Sequence, residues 1–226
     1  MNLKSFLKRL FGGEVIEKIH SPFNGEILVV KELSGRTIMR VGGITQSGGM
    51  VEDIWRVALA KVQSSKFKVQ SCLVLGLGCG TVVKLLTEKW PGIKITGIEI
   101  DPEVIKIGKK YFGLEEILGL KVIVGDAIKA VSSQSSVVRQ KKFDLILIDM
   151  YQGQEIPKET EDGEFLNGLK KLLNKDGLII FNRLYFGKHK KETKDFTEKL
   201  NGMFSEVSTH RTEFNLFIFC RSISRD

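Results

Sequence analysis

The sequence predicts an α/β protein with a Rossmann-like, mostly parallel sheet, and three observations carry that reading. From residue 71 onward, short apolar runs alternate with amphipathic stretches of helical period, the pattern of strands joined by right-handed helical crossovers. The first of these runs, Cys72-Leu73-Val74-Leu75, passes directly into Gly76-Leu77-Gly78-Cys79-Gly80-Thr81, a tight turn built of alternating glycines. Three further runs end on acids, Glu99, Asp126 and Asp149, which places carboxylates along one rim of the sheet.

Bulk properties narrow the class. With 226 residues, of which 42% are hydrophobic, the chain can bury a sizeable core and hold one full domain plus a small appendage. Cys72, Cys79 and Cys220 are spaced like neither a disulfide framework nor a zinc ligand set, so no metal is expected and a reducing cytoplasm is the expected setting. No apolar run approaches the ~20 residues of a membrane span. Lys4, Lys8 and Arg9 interrupt the N-terminal apolar run, so a cleavable signal is not expected. The formal charge of +8 is largely local, in pairs such as Lys109-Lys110 and Lys170-Lys171 beside apolar positions, as on solvated faces.

Element by element, residues 1–13 set Leu3, Phe6, Leu7 and Leu10 on one helical face with basic residues opposite, and Gly12-Gly13 would end the helix. Such a face suits packing on its own protein or on a twin subunit; contact with a membrane surface is the alternative. Residues 26–31 and 36–41 form a hairpin about Ser34-Gly35. Residues 1–50 are thus a small N-terminal helix and β-hairpin unit, and residues 51–226 the main α/β domain. That domain opens on a helix carrying Ile54, Trp55, Ala58, Leu59 and Val62, with Trp55 expected in the core or an interface. The polar stretch 64–71 is the candidate boundary. Strands are expected at 72–76, 93–99, 121–125, 143–149 and 177–182, and helices at 81–90, 102–112, 127–132, 163–174 and 191–203. Residues 204–209 and 214–221 close the sheet edge as an antiparallel hairpin.

In an open α/β sheet, ligands bind beyond the carboxyl ends of the strands, so the glycine turn is the place to ask what approaches the backbone. A phosphate-cradling loop of the GxxxxGK[ST] type needs a lysine where Thr81 stands, and a dinucleotide fingerprint needs its third small residue at that same position. The remaining pattern, Gly76-x-Gly78-x-Gly80, is that of S-adenosylmethionine-binding folds. Glu99, 19 residues past Gly80 and followed by Ile100, can accept both ribose hydroxyls. Asp126 can receive an adenine amine with the Ala127 amide beside it, and Asp149 reaches the same rim.

These motifs resemble the spermidine synthase family within the class I S-adenosylmethionine-dependent transferases. The resemblance extends from GRTIMRVGGITQSGG through LGLGCGT, IEID, VGDA and FDLILID to the closing strands. It implies the class I methyltransferase fold, a homodimer, and a glutamine, here Gln46, that touches the cofactor. Two positions depart from it. The family's aminopropyltransferases resembling this chain carry an acid in the glycine loop, where Cys79 stands, and a second acid after the fourth strand, where Gln152 stands. An acid at 79 would repel the carboxylate of intact S-adenosylmethionine, and an amide at 152 cannot act as a base.

The expected reaction is therefore methyl transfer from S-adenosylmethionine to a small-molecule acceptor. Asp149 and Tyr151 would orient or deprotonate the nucleophile with Gln152 as a hydrogen-bonding partner, and a lid over the adenosine is the alternative role for Tyr151. Two alternatives stand beside this reaction: aminopropyl transfer from decarboxylated S-adenosylmethionine, and a non-catalytic, cofactor-binding partner protein. Met150 and Tyr151 stand where base-methylating enzymes of this fold carry Pro-Pro, which argues against a nucleic acid acceptor.

Overall fold

The computed structural model describes residues 13–62, 68–132, 138, 141–153 and 155–221. The helix expected over 1–13, apart from Gly13, and part of the polar boundary at 64–71 lie outside the described residues. Two sheets organise the rest.

The first sheet has four antiparallel strands in sequential order: β1 (Gly13–Ser21), β2 (Gly25–Glu32), β3 (Thr37–Val41) and β4 (Ile44–Ser47). The expected hairpin is its centre, β2 and β3. The two outer strands are additions. In β1 the half-buried Val15, Glu17 and Ile19 alternate with exposed Glu14, Ile16, Lys18 and His20, so charge falls on both faces and hides the period-two signal. A register shift between Val15 and Glu17 breaks the pattern further.

The second sheet holds β5 (Ser71–Leu75), β6 (Lys94–Glu99), β7 (Leu120–Val124), β8 (Phe143–Ile148), β9 (Leu173–Leu184), β10 (Glu206–Arg211) and β11 (Asn215–Arg221). Their spatial order is β10-β11-β9-β8-β5-β6-β7. Strands β5 to β9 run parallel, whereas β11 is antiparallel to β9 and slots between it and β10. The expected closing hairpin is present, and the sheet is mostly parallel as expected. Helices α1 (Met50–Ala60), α2 (Thr81–Lys89), α3 (Pro102–Phe112), α4 (Ala127–Val131), α5 (Gly163–Leu172) and α6 (His189–Asn201) follow the sequence spacing. The chief difference is at 173–174, expected as the end of a helix and found at the start of β9, where Leu173 pairs with Phe143.

Apolar residues fill both faces of this sheet. One cluster runs from Leu73 and Ile146 through Phe165 and Phe181 to Phe196, and the other from Trp55 and Val74 through Val83 and Leu147 to Phe217. Such two-sided burial is what a parallel sheet demands. A third cluster joins the two sheets: Ile27, Val29, Met39 and Val41 of the small sheet meet Cys79 and, on α3, Val104, Ile107 and Phe112.

One buried acid fastens that junction. Asp101, fully buried, caps α3 by accepting from the Glu103 amide at 2.9 Å, while its other oxygen accepts from the Ser21 hydroxyl and from Asn24 Nδ2. The small sheet is thereby held over the carboxyl ends of β5 and β6, beside the β5–β8 pair where the main sheet's strand order reverses direction. A ligand crevice in an open α/β sheet belongs at that point.

Candidate active site

The turn after β5 opens the site. The Gly76 and Leu77 amides both donate to the Ile98 carbonyl at 3.0 Å, which pulls the turn against the end of β6. Gly78 donates to Glu99 Oε2 at 2.8 Å, and the Asp101 amide donates to Glu99 Oε1 at 3.1 Å. Burial raises the Glu99 carboxyl above its usual range, and these backbone donors offset part of the rise. Each Glu99 oxygen keeps acceptor capacity, so the pair can still take two hydroxyls.

A cavity spreads from this turn across the ends of β5, β6 and β7. Gly76, Gly78, Thr81, Glu99, Ile100, Asp126, Ala127, Asp149, Tyr151, Gln152 and Gln46, all expected from the sequence, line it. Asp126 also caps α4, accepting from the Ile128 and Lys129 amides through Oδ1. Thr81 Oγ1 accepts from the Gly48 amide. Gln46 Nε2 donates to the Gly153 carbonyl at 2.8 Å and ties β4 to the segment after β8.

Two expected cofactor contacts lie elsewhere. Cys79 is fully buried, its sulfur 3.4 Å from Met39 Sδ, so Met39 and not Cys79 faces the cavity. Burial pushes its thiol well above the ordinary range. Gly80 is the left-handed cap residue of α2, and a Cβ there would come within 2.5 Å of Leu114; its glycine serves packing. Of the turn's residues, Cys79 faces the interior, while Gly76, Leu77 and Gly78 line the cavity.

Asp149 stands at the end of β8 and is the hub of the site. Its Oδ2 accepts from Trp55 Nε1 at 2.8 Å and its Oδ1 from Asn182 Nδ2 at 2.8 Å. Asn182 Oδ1 in turn accepts from Asn215 Nδ2 at 2.9 Å. Burial pushes the Asp149 carboxyl up to about 6, against the pull of the Trp55 and Asn182 donors. The Tyr151 hydroxyl donates to the Asn182 carbonyl at 2.8 Å, and burial together with the Asp149 charge lifts the phenol well above its usual range. Tyr151 therefore stays protonated and its proton is engaged. It forms a wall of the site and does not take up the nucleophile's proton. Gln152 is exposed, and its backbone pairs in both directions with Glu155.

Beyond Asp149 lies a second chamber of about 340 Å³. It shares Gln46, Val51, Asp149 and Tyr151 with the first cavity, so these four form the partition between the two. Sequence reasoning missed Trp55, Asn182 and Ser47, whose Oγ accepts from the Cys79 amide at 3.0 Å.

The residues fit an adenosyl ligand: a carboxylate with spare acceptors at the end of β6, an acid and an amide at the end of β7, and glycines between them. Ser47 guards the closest approach, since a Cβ on Gly78 would lie 2.9 Å from its hydroxyl.

Comparison with known proteins agrees with the fold. The Spermine/spermidine synthase domain model matches residues 50–214. The chain is 34% identical over 115 residues to the polyamine aminopropyltransferase of Vibrio vulnificus, covering 51% of this chain and 38% of that protein. It is 30% identical to the probable polyamine aminopropyl transferase of Bifidobacterium longum, covering 69% of this chain and 34% of the relative. To the N-terminal histidine N-methyltransferase of Emericella nidulans it is 38% identical over 112 residues, covering 50% of this chain and 19% of that protein. The chain thus spans well under half the length of these curated relatives. Among solved structures, a probable spermidine synthase from Corynebacterium glutamicum superposes with a TM-score of 0.74 at 16% identity, covering 92% of this chain and 80% of that one. Human methyltransferase-like protein 13 in complex with SAH superposes at 0.64 and 20% identity, covering 78% and 83%. With the family model covering well over half of its length, the chain belongs to the spermine/spermidine synthase domain family.

Proposed function

We propose that the site transfers an alkyl group from an S-adenosylmethionine-type sulfonium donor to an amine nitrogen, with Asp149 receiving the amine's proton. The observation that carries this reading is the place of Asp149, in the partition between the nucleoside cavity and the second chamber. A bound sulfonium donor supplies an electrophilic carbon, whose bond to sulfur breaks with its electron pair leaving on the thioether. The chain's residues do the remaining work.

A protonated amine has no lone pair with which to attack. A carboxyl held near 6 is largely ionised at neutral pH, so it attracts an ammonium group, yet it is more basic than an exposed aspartate and better able to accept a proton. Trp55 and Asn182 fix its two oxygens, leaving the second lone pair of each for the acceptor. Holding amine and donor across one partition also removes orientational freedom before reaction, an effect worth ~7 kcal/mol or more in well-aligned systems. The relatives' names support an amine acceptor, being drawn either from polyamines or from N-methylation.

For the group transferred, the aminopropyltransferase names support an aminopropyl group, and decarboxylated S-adenosylmethionine as donor, better than the methyl group expected from the sequence. Methyl transfer is the second reading, on one observation. Position 79 holds a thiol turned into the core and position 152 an exposed amide, so neither offers a carboxylate to an aminopropyl ammonium.

Calorimetry with the two donors, on the wild type and on Glu99→Ala, tests the reading. The wild type should bind the decarboxylated form at least tenfold more tightly than the intact one, and Glu99→Ala should weaken binding by ~1.5–3 kcal/mol, the cost of losing a charged hydrogen-bond partner. Preference for the intact donor would move the assignment to methyl transfer. Binding of neither form, or an indifferent Glu99→Ala variant, would remove the donor site.

A further inference from the structure

Asp149 is the single carboxylate among the described lining residues of the second chamber. The wall's other polar side chains are engaged within the protein. Asn215 Nδ2 donates to Asn182 Oδ1, the Tyr151 hydroxyl to the Asn182 carbonyl, and Gln46 Nε2 to the Gly153 carbonyl. Arg40 donates to Thr45 Oγ1 and has a further partner besides. Apolar side chains complete the wall. Ile44, Ile54 and Leu184 line it with Phe186, in the turn after β9, and Phe214, just before β11. The two rings meet edge to face with centroids 6.3 Å apart. Met50 and Phe214 are large apolar side chains left exposed, and both belong to this wall.

One carboxylate can answer one positive charge. A di- or triamine seated here would leave its second ammonium against apolar side chains, and the attraction of a phenyl face for a cation is smaller than the cost of stripping that cation of water. An acceptor with a single ammonium at Asp149 and an apolar body over Ile54, Phe186 and Phe214 leaves no charge unanswered. An apolar lining with few oriented polar groups is the usual make-up of a small-molecule site.

We infer that the acceptor is a monoamine with an apolar or aromatic body, its amine directed to Asp149 and its body to the wall formed by Phe186 and Phe214. The ammonium gives one proton to Asp149, and the nitrogen lone pair so released forms a bond to the donor's carbon as the carbon–sulfur bond breaks with its electron pair leaving on sulfur. This inference rests on the donor reading above and refines the acceptor class within it.

The test titrates three compounds at neutral pH into the full chain saturated with methylthioadenosine or S-adenosylhomocysteine: phenethylamine, 2-phenylethanol, which is the same body without the charge, and putrescine, which carries two charges and no ring. Phenethylamine should bind at least about tenfold more tightly than either of the others, the worth of one charged hydrogen bond. Phe186→Ala should weaken phenethylamine several-fold and leave putrescine unchanged, and Phe186→Leu should keep most of the affinity; nucleoside loading shows that each variant is folded, and Phe214→Ala should repeat the effect from the other ring. The inference is overturned if putrescine binds as tightly as phenethylamine, if phenylethanol does so, if none of the three binds to nucleoside-loaded protein, or if both ring variants bind phenethylamine as the wild type does. Failure of both nucleosides to bind would count against the donor reading itself, and is seen separately in the loading step.

Discussion

Asp149→Asn is expected to lower kcat/KM for amine alkylation by ~10²- to 10⁴-fold, the usual worth of a positioned general base, while donor affinity changes little. Asparagine keeps the shape but cannot take a proton. It also cannot accept from both Trp55 and Asn182, because its NH2 group must face one of those donors, so ~1–3 kcal/mol of stability should be lost as well. The wild-type rate should rise with pH through about 6 and then level, as the carboxylate forms, and the variant should lack that limb.

Stability should change with pH in the opposite sense. The folded state favours the protonated carboxyl, so the stabilisation is complete below the ordinary value of 3.8 and is lost as pH climbs through about 6. Across that window the wild type should lose up to roughly 3 kcal/mol relative to Asp149→Asn in denaturant titrations. Parallel pH dependence in the two proteins would mean that Asp149 titrates normally and is not tuned for proton transfer.

The second large effect is expected from Gly76→Ala. Gly76 has φ +83°, a conformation that costs any other residue, and a Cβ there would sit 2.2 Å from the Asp149 carbonyl oxygen. Because that contact is with backbone on the neighbouring strand end, no side chain can yield, and β5 and β8 must part. We expect a loss of roughly 3–5 kcal/mol, which for a chain of this size lowers Tm by roughly 6–20 °C. Gly153→Ala is the control: φ there is +62° with open space around the added carbon, so only the ~1–2 kcal/mol conformational cost should appear. Equal losses in the two variants would show that the close approach of strands β5 and β8 does not govern position 76.

The donor half of the site was legible in the sequence because it depends on local order. In a parallel sheet each strand's carboxyl end reaches the same rim, so the acids that end successive apolar runs converge without any knowledge of tertiary contacts, and Glu99, Asp126 and Asp149 did so. The partners of Asp149 were not legible. Trp55 lies 94 residues away in sequence and Asn182 lies 33 away, and at helix and strand positions both look like ordinary packing residues. Cys79 was misplaced for a different reason: spacing shows which residues occupy a turn but not which way each one faces. Tyr151 was read as orienting or deprotonating the nucleophile, with a lid over the adenosine as the alternative, from its place just after Asp149, whereas burial and a committed hydroxyl decide its state. The fold shows the same division. Runs with clean periodicity became elements close to their expected bounds, while β1, with charges on both faces, and the short β4 did not announce themselves.

The central claim is that Asp149 lies where the donor's reacting carbon meets the acceptor, and a crystal structure of the chain with methylthioadenosine tests it most directly. The account predicts ribose hydroxyls within hydrogen-bond distance of Glu99, the adenine amine at Asp126, and the thioether sulfur turned toward the partition formed by Gln46, Asp149 and Tyr151. A nucleoside seated in the second chamber, or one bound across Glu99 with its sulfur turned away from Asp149, would contradict it.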